Sequence, residues 1–138
     1  MSKKDDQRRA EKIALAWMLD KGARHPVKSG GSRFQRVDIW AADVVAFLDN
    51  GIVAVQVTTG TEASDAVGQR RRKLAAIGWP ICAYVVLMQV RRVPGRLIAY
   101  EYRITTYALG TWGGFNAWMP VPREWWDSKA LDKQKRNG

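Results

Sequence analysis

Two polar side chains interrupt apolar segments near the middle of the chain and have the chemistry of cation ligands. Asp43 and Gln56 lie in stretches otherwise made almost entirely of Ala, Val, Ile, Phe and Leu. A carboxylate buried without a partner is strongly unfavourable, so Asp43 needs either a compensating group or a place in a site. If the two stretches pair as strands, both side chains converge beside the carbonyl of Val57. Carboxylate, amide and carbonyl oxygens together predict a hard-cation site of the Mg²⁺ type.

Asp38 is the alternative acid, because Val37-Asp38-Ile39 also has the composition of a strand. We prefer Asp43, since a turn centred on Asn50-Gly51 leaves it only two residues out of register with Gln56, an offset that a bulge or a diagonal pair would absorb. Asp38 would pair beyond the end of the second strand. The other interpretation of Asp43 is structural, with its carboxylate bound to a backbone amide or to an arginine.

A hairpin over 36–60 would position these side chains. Asn50-Gly51 offers the two positive-φ positions of a type I′ turn, and apolar and β-branched residues lie on both sides. We therefore predict strands over 34–48, with a break near Ala41-Ala42, and over 52–59.

The rest of the chain divides into further elements by its periodicity and its Gly and Pro residues. The predicted elements are a helix over 5–22 ending at Gly22, a loop over 23–33 that contains His25, a helix over 63–77 ending at Gly78 and Pro80, a buried strand over 81–90, a strand over 96–106 after a Pro94-Gly95 turn, and a short helix leading into a basic tail over 123–138. In the aromatic, Gly-rich segment 107–126 we expect most tryptophans to pack on the core and a minority to stack on bases or sugars.

Composition narrows the class of protein and its partners. The chain has 138 residues, the size of one domain, and a formal net charge of +10, which favours a nucleic acid as partner. A basic soluble or ribosome-associated protein is the alternative. Cys82 is the only cysteine, which excludes an intramolecular disulfide and a thiolate zinc cluster. The N-terminal residues lack the apolar core of a secretion signal and no run of about 18 apolar residues is present, so we expect a cytoplasmic protein.

From Glu11 to Val90 the chain resembles the PD-(D/E)XK nuclease superfamily, and within it the small phage and archaeal Holliday-junction-resolvase-like endonucleases. Asp43 matches the strand-borne acid, Gln56-Val57-Thr58 occupies the (E/Q)-x-K tripeptide, and Glu11 matches the acid on the first helix. The resemblance implies an α/β fold.

The expected fold is a single domain over 1–138. Its restriction-endonuclease-like αβββαβ core, about 8–106, would have a mixed sheet flanked by helices. Segment 107–138 would be an aromatic and basic extension.

Two positions depart from the family pattern. Gln56 replaces the commoner acid and removes one negative charge from the cation site, and Thr58 stands where Lys is expected. A hydroxyl cannot supply the positive charge that stabilises a reacting phosphate. In some members the substitute comes from the following helix, where Lys73 or Arg70 would take that role, and Gln69 would line the same face.

The resemblance implies a DNA endonuclease that uses Mg²⁺ or Mn²⁺. Asp43, Gln56 and the Val57 carbonyl would bind the cation, with Glu11 acting through water and Thr58 beside them. The residues expected to contact nucleic acid are Arg33, Arg36, Gln69, Arg70, Arg71, Arg72 and Lys73. Resolvases of this kind act as two-fold dimers, so a homodimer is implied, in the host cytoplasm if a phage encodes the protein.

Two alternatives to an active nuclease stay open. A catalytically inert nucleic-acid-binding module on the same fold is favoured by Gln56 and Thr58. A phage protein-interaction factor would use the Trp-rich C-terminal part as an exposed patch. Neither alternative requires a bound cation.

Overall fold

The computed structural model describes residues 3–28, 42–49, 51–59, 64–79, 83–104 and 117–127. The elements in chain order are α1 (Lys3–Asp20), β1 (Arg24–Lys28), β2 (Val44–Leu48), β3 (Gly51–Thr59), α2 (Ser64–Ala75), β4 (Ala83–Val93), β5 (Arg96–Arg103), β6 (Met119–Pro120) and a 3₁₀ helix (Arg123–Trp125). No helix within these ranges is long and apolar enough to cross a membrane.

The described strands form one mixed six-stranded sheet in the order β1-β2-β3-β4-β5-β6, so the protein has an α/β fold. β3 and β4 are parallel, with Ile52 opposite Ala83 and Thr59 opposite Val90, and α2 makes the crossover between them. The other neighbouring pairs are antiparallel. The carboxyl ends of β3 and β4 therefore lie at the same end of the sheet.

The two helices accompany separate hydrophobic clusters, because alternate side chains of a strand point to opposite faces. The α1 cluster includes Trp17 together with Val55 and Val86, whereas the α2 cluster includes Leu74 together with Val85. β4 is buried over its first eight residues, as expected for a strand covered on both faces.

The end of α1 follows the prediction. Gly22 has φ 92°, its N–H donates to the Leu19 carbonyl, and the Ala23 N–H donates to the Met18 carbonyl at 3.0 Å. This pair of bonds is a Schellman motif, in which the residue after the helix must adopt a left-handed conformation that glycine tolerates best.

The prediction of a loop over 23–33 is wrong for its first part, which forms β1. This strand pairs antiparallel with β2, and its register shifts between Arg24 and Val27. His25, at φ 54°, and Pro26 lie at the shift. Because they interrupt the alternation expected of a strand, the local sequence favoured a loop, and pairing with β2 overrides it.

The turn of the central hairpin lies one residue earlier than predicted. Leu48 pairs with Gly51, so Asp49 and Asn50 connect the strands and Gly51 begins β3. The second predicted hairpin is confirmed, since Val93 pairs with Arg96 around a turn in which Gly95 has φ 79°.

Candidate cation site and basic surfaces

The regular pairing of the central hairpin ends one residue after Asp43. Val44 pairs with Val55 and each following pair keeps the same register as far as Leu48 and Gly51. Asp43 lies outside this ladder, and its N–H donates to the carbonyl of Val55, the residue opposite Val44 and next to Gln56. The face of the sheet that carries Gln56 is the α2 face, since Val55 belongs to the α1 cluster.

Asp43 is bound to β3 through both its main chain and its side chain. Its N–H donates to the Val55 carbonyl at 2.8 Å, and its Oδ2 accepts the Val57 N–H at 2.8 Å. This is the backbone-amide contact that the structural interpretation predicts. It also holds the carboxylate next to the residue after Gln56. A carboxylate has about four acceptor positions, so the bond to Val57 does not by itself exclude a ligand role.

Gln56 and Thr58, the two neighbours of Val57 on β3, supply buried oxygen atoms. The two residues are two apart on β3 and therefore share the α2 face. Gln56 Oε1 and Thr58 Oγ1 are both buried, and within the described ranges neither has a hydrogen-bond partner. Leaving a buried acceptor unsatisfied costs about 1–3 kcal/mol. A hard cation with its water ligands fits this set of oxygens, because it would satisfy them.

Glu11 lies at the same end of the sheet but on the other face. Its Oε2 is 3.7 Å from Lys28 Nζ, and its side chain is 16% exposed. Lys28 pairs with Val44, whose side chain belongs to the α1 cluster. The structure therefore brings Glu11 near the start of β2 without placing it on the Gln56 face, and its ion pair with Lys28 accounts for its position.

The two residues predicted to replace the missing lysine lie at different distances from Thr58. α2 follows the carboxyl end of β3 and leads back to the start of β4, where Ala83 is opposite Ile52. Lys73, in the last turn of α2, therefore lies towards the end of the sheet that is remote from Thr58, whereas Arg70 is almost one turn nearer. The structure does not bring Lys73 together with Asp43.

Most of the residues predicted to contact nucleic acid are exposed on α2, and two lie outside the described ranges. Gln69, Arg71 and Arg72 are exposed on α2, as is Lys73, and Arg70 is half-buried. The predicted contacts Arg33 and Arg36, together with the alternative acid Asp38, lie outside the described residues.

The sequence analysis did not identify Gln89, which lies close to the candidate cation site. It is 2% exposed, lies opposite Thr58 in the β3–β4 pairing, and accepts a 3.1 Å hydrogen bond from Tyr102 Oη. The Arg71 guanidinium lies 5.3 Å from the centre of the Tyr102 ring. These contacts connect β4 and β5 to the arginines of α2. An amide in the otherwise apolar run 81–90 was the signal that could have identified it.

The α2 cleft, as we name it, is lined by Gly68, Arg71, Arg72, Ala75, Arg103 and Ile104. Its volume is about 290 Å³. Three guanidinium groups border it, so it has the charge and the donors to bind an anion. The α2 arginines predicted to contact nucleic acid thus share a cavity with a residue of β5.

A buried polar cluster on the α1 face has a structural role. Tyr84 Oη donates to Glu101 Oε1 at 2.5 Å, and Arg103 Nε donates to the same oxygen at 3.1 Å. Burial, and next the hydrogen bond to Glu101, raise the pKa of Tyr84 well above its usual range. Tyr84 is therefore a neutral donor to one oxygen of a buried carboxylate, whose Oε2 has no hydrogen-bond partner within the described residues. The contact joins β4 to β5.

The described tryptophans of the C-terminal part pack against the rest of the protein. Trp125 and Trp126 contact the α1 cluster, and Trp118 lies under the Arg91 guanidinium at 4.5 Å. All three are half-buried. Trp112 and Phe115 lie outside the described residues. The described part of the segment thus favours packing over an exposed aromatic patch.

The oxygen set at this end of the sheet is chemically mixed. Within the described ranges no three Asp, Glu, His or Cys side chains form a group that could hold a metal ion. The predicted ligand set has one carboxylate, one amide and one main-chain carbonyl. Such a set suits a hard cation that keeps several water ligands.

Searches against protein-family models, curated proteins and solved structures gave no match for this chain.

Proposed function

We propose that the protein is a divalent-metal-dependent DNA endonuclease with a restriction-endonuclease-like core. One observation carries the proposal: the Asp43 carboxylate accepts the N–H of Val57, the residue that follows Gln56, near the carboxyl end of β3. The element order of helix, three strands, helix and strand supports the same core. The net charge of +10 supports a polyanionic substrate.

Asp43, Gln56 and the Val57 carbonyl would hold Mg²⁺ or Mn²⁺, whereas Glu11, on the α1 face and paired with Lys28, would not be a ligand. The bound cation would polarise a phosphodiester and lower the pKa of a water ligand. The Thr58 hydroxyl can orient a water by hydrogen bonding, but it supplies no positive charge. That charge would come from α2, where Arg70 is better placed than Lys73.

The α2 arginines would position the DNA by contacting its backbone. Arg71 and Arg72 border the α2 cleft, and Gln69 is exposed on the same helix. Contacts with phosphates carry no sequence information, so the substrate class would be set by DNA shape. A two-fold homodimer would present two such sites to a branched substrate.

Nicking of supercoiled plasmid and cleavage of a four-way junction test the proposal. The parent protein should cut in Mg²⁺ or Mn²⁺ and should not cut in EDTA. Gln56→Ala should lower the single-turnover rate at least tenfold, because it removes a cation ligand. Gln7→Ala on α1 removes an amide outside the site and should leave the rate unchanged. Metal-independent cutting, or equal rates in both variants, would contradict the proposal.

A catalytically inert DNA-binding module is the second candidate, and a specific contact favours it. The Asp43 bond to the Val57 N–H gives the acid a structural role, and Thr58 leaves β3 without the expected lysine. This candidate predicts salt-dependent DNA binding, no heat on Mn²⁺ titration and no cleavage. It also predicts that Thr58→Lys creates no activity, whereas the endonuclease predicts at least a tenfold gain in rate.

A further inference from the structure

A second arginine-rich cavity lies on the α1 face, between α1, the β4–β5 hairpin and the 3₁₀ helix. We call it the hairpin cleft. Its volume is about 250 Å³, and its lining includes Arg9, Arg92, Arg96, Arg123, Leu97 and Trp126. Segments far apart in the sequence thus contribute four guanidinium groups to one cavity.

Trp126 holds two of these guanidinium groups in place. The Arg9 guanidinium carbon is 5.3 Å from the centre of the ring, and that of Arg123 is 5.7 Å from it. The ring is itself half-buried against the α1 cluster. Cation–π contacts of this kind restrict a guanidinium while its N–H groups remain capable of donating to an anion. The cleft is therefore partly preorganised.

Two acidic residues form ion pairs with arginines of this cleft. Asp6 Oδ1 is 3.5 Å from Arg92, and Asp127 Oδ2 is 4.0 Å from Arg123. Both arginines are more than half exposed, at 52% and 65%. Exposed ion pairs exchange partners at little cost, so a phosphate can compete with these carboxylates for the guanidinium groups.

The hairpin cleft lies at the same end of the sheet as the candidate cation site. It shares Arg9, Arg92 and Leu97 with a smaller recess of about 50 Å³ whose wall includes Thr59. Thr59 is the last residue of β3 and follows Thr58. A strand of nucleic acid that passes around this end of the sheet can therefore contact both the end of β3 and the cleft on the α1 face.

We propose that the hairpin cleft binds the phosphodiester backbone of a DNA strand next to the segment held at the cation site. Arginine forks match the geometry of phosphate oxygens, and this cleft provides several of them around an aromatic support. The inference rests on the proposed function for the identity of the polyanion, but it concerns binding and does not require cleavage.

DNA binding without divalent metal isolates this surface. A fluorescein-labelled 30-base-pair duplex is titrated in EDTA between 50 and 200 mM NaCl, and the affinity is followed by anisotropy. The test variant is Arg96→Gln/Arg123→Gln. The matched control is Lys21→Gln/Arg24→Gln, which removes two exposed charges where α1 ends and β1 begins. Both doubles have the same net charge.

In the cleft variant the slope of log affinity against log salt should be smaller in magnitude by about 1.8, since the two removed arginines account for two phosphate contacts of about 0.9 each. Raising NaCl from 50 to 200 mM lowers the affinity of the parent for the duplex by some factor. For the variant that factor should be about twelvefold smaller. The control slope should change by less than about 0.5. The single variant Arg96→Gln, at the exposed hairpin turn, should lower the magnitude of the salt slope by about 0.9. It controls for the case in which the loss of Arg123 unfolds the protein.

Equal slopes for the cleft and control variants would overturn the inference, even if the protein cuts DNA in Mn²⁺. A parent protein that does not bind the duplex would overturn it as well. If the slopes differ as expected and no variant or parent cuts DNA, the inference stands and the endonuclease proposal fails. Inorganic phosphate as a competitor should displace the duplex only at high millimolar concentration, because a single phosphate makes fewer contacts than a strand.

Discussion

Replacing Asp43 with Asn or with Ala separates its structural role from its ligand role. The Val57 N–H that it accepts at 2.8 Å belongs to a residue only 1% exposed, so Asp43→Ala leaves a buried donor unsatisfied. A hydrogen bond to a charged group is worth about 1.5–3 kcal/mol, and we take about 2 kcal/mol for this partly buried one. For 138 residues the unfolding entropy is about 0.29 kcal/mol/K, so Tm should fall by about 7 °C.

Asp43→Asn retains an acceptor oxygen and loses only the charge. It should cost about 1 kcal/mol, or about 3 °C in Tm. Both variants should lower the metal-dependent cleavage rate about 10²–10³-fold, because both remove a charged cation ligand. Urea unfolding and single-turnover cleavage measured on the same preparations provide the test. An Asn variant that cuts at the parent rate refutes the ligand role, and an Ala variant destabilised by less than about 0.5 kcal/mol refutes the structural role.

Three further predictions concern the cation site, the buried tyrosine and the end of α1. Gln56→Glu should bind Mn²⁺ at least tenfold more tightly by calorimetry, and in EDTA it should be about 1 kcal/mol less stable because a second acid then flanks Val57, whose N–H binds Asp43. Because the pKa of Tyr84 is raised in the folded state, its contribution to stability is fully present at pH values below 10, the usual pKa of a tyrosine. That contribution is lost as the pH rises towards the folded-state pKa, so the free energy of unfolding should fall about 1.4 kcal/mol per pH unit more steeply above pH 10 than in Tyr84→Phe. Gly22→Ala should lower the stability by about 1 kcal/mol because of its positive φ, whereas Gly78→Ala, whose new Cβ meets no atom, should be nearly neutral in urea unfolding.

The sequence predicted the helices and the central hairpin because their signals are local. Apolar spacing and Gly22 define α1, and the continuous apolar run defines β4. The hairpin turn was placed one residue late, since both Asp49-Asn50 and Asn50-Gly51 suit positive φ and only strand pairing decides between them. β1 was missed because its pairing with β2 is not encoded in its own alternation.

Only the part of the candidate site that lies on two strands adjacent in the sequence could be predicted. The Asp43 and Gln56 pair follows from one hairpin, so composition and spacing could identify it. Gln89 joins the region through the parallel pairing of β3 with β4, which spans α2 and leaves no short-range pattern. The hairpin cleft combines α1, the β4–β5 turn and the 3₁₀ helix, and a charge count along the chain cannot locate such a cavity.

The β1 edge of the described sheet is unsuited to pairing with a strand from another copy. β1 has five residues, is irregular between Arg24 and Val27, and contains Pro26, which has no N–H to donate. A strand arriving from another molecule would meet neither a regular row of donors nor a flat edge, so this side of the sheet disfavours open-ended extension and aggregation.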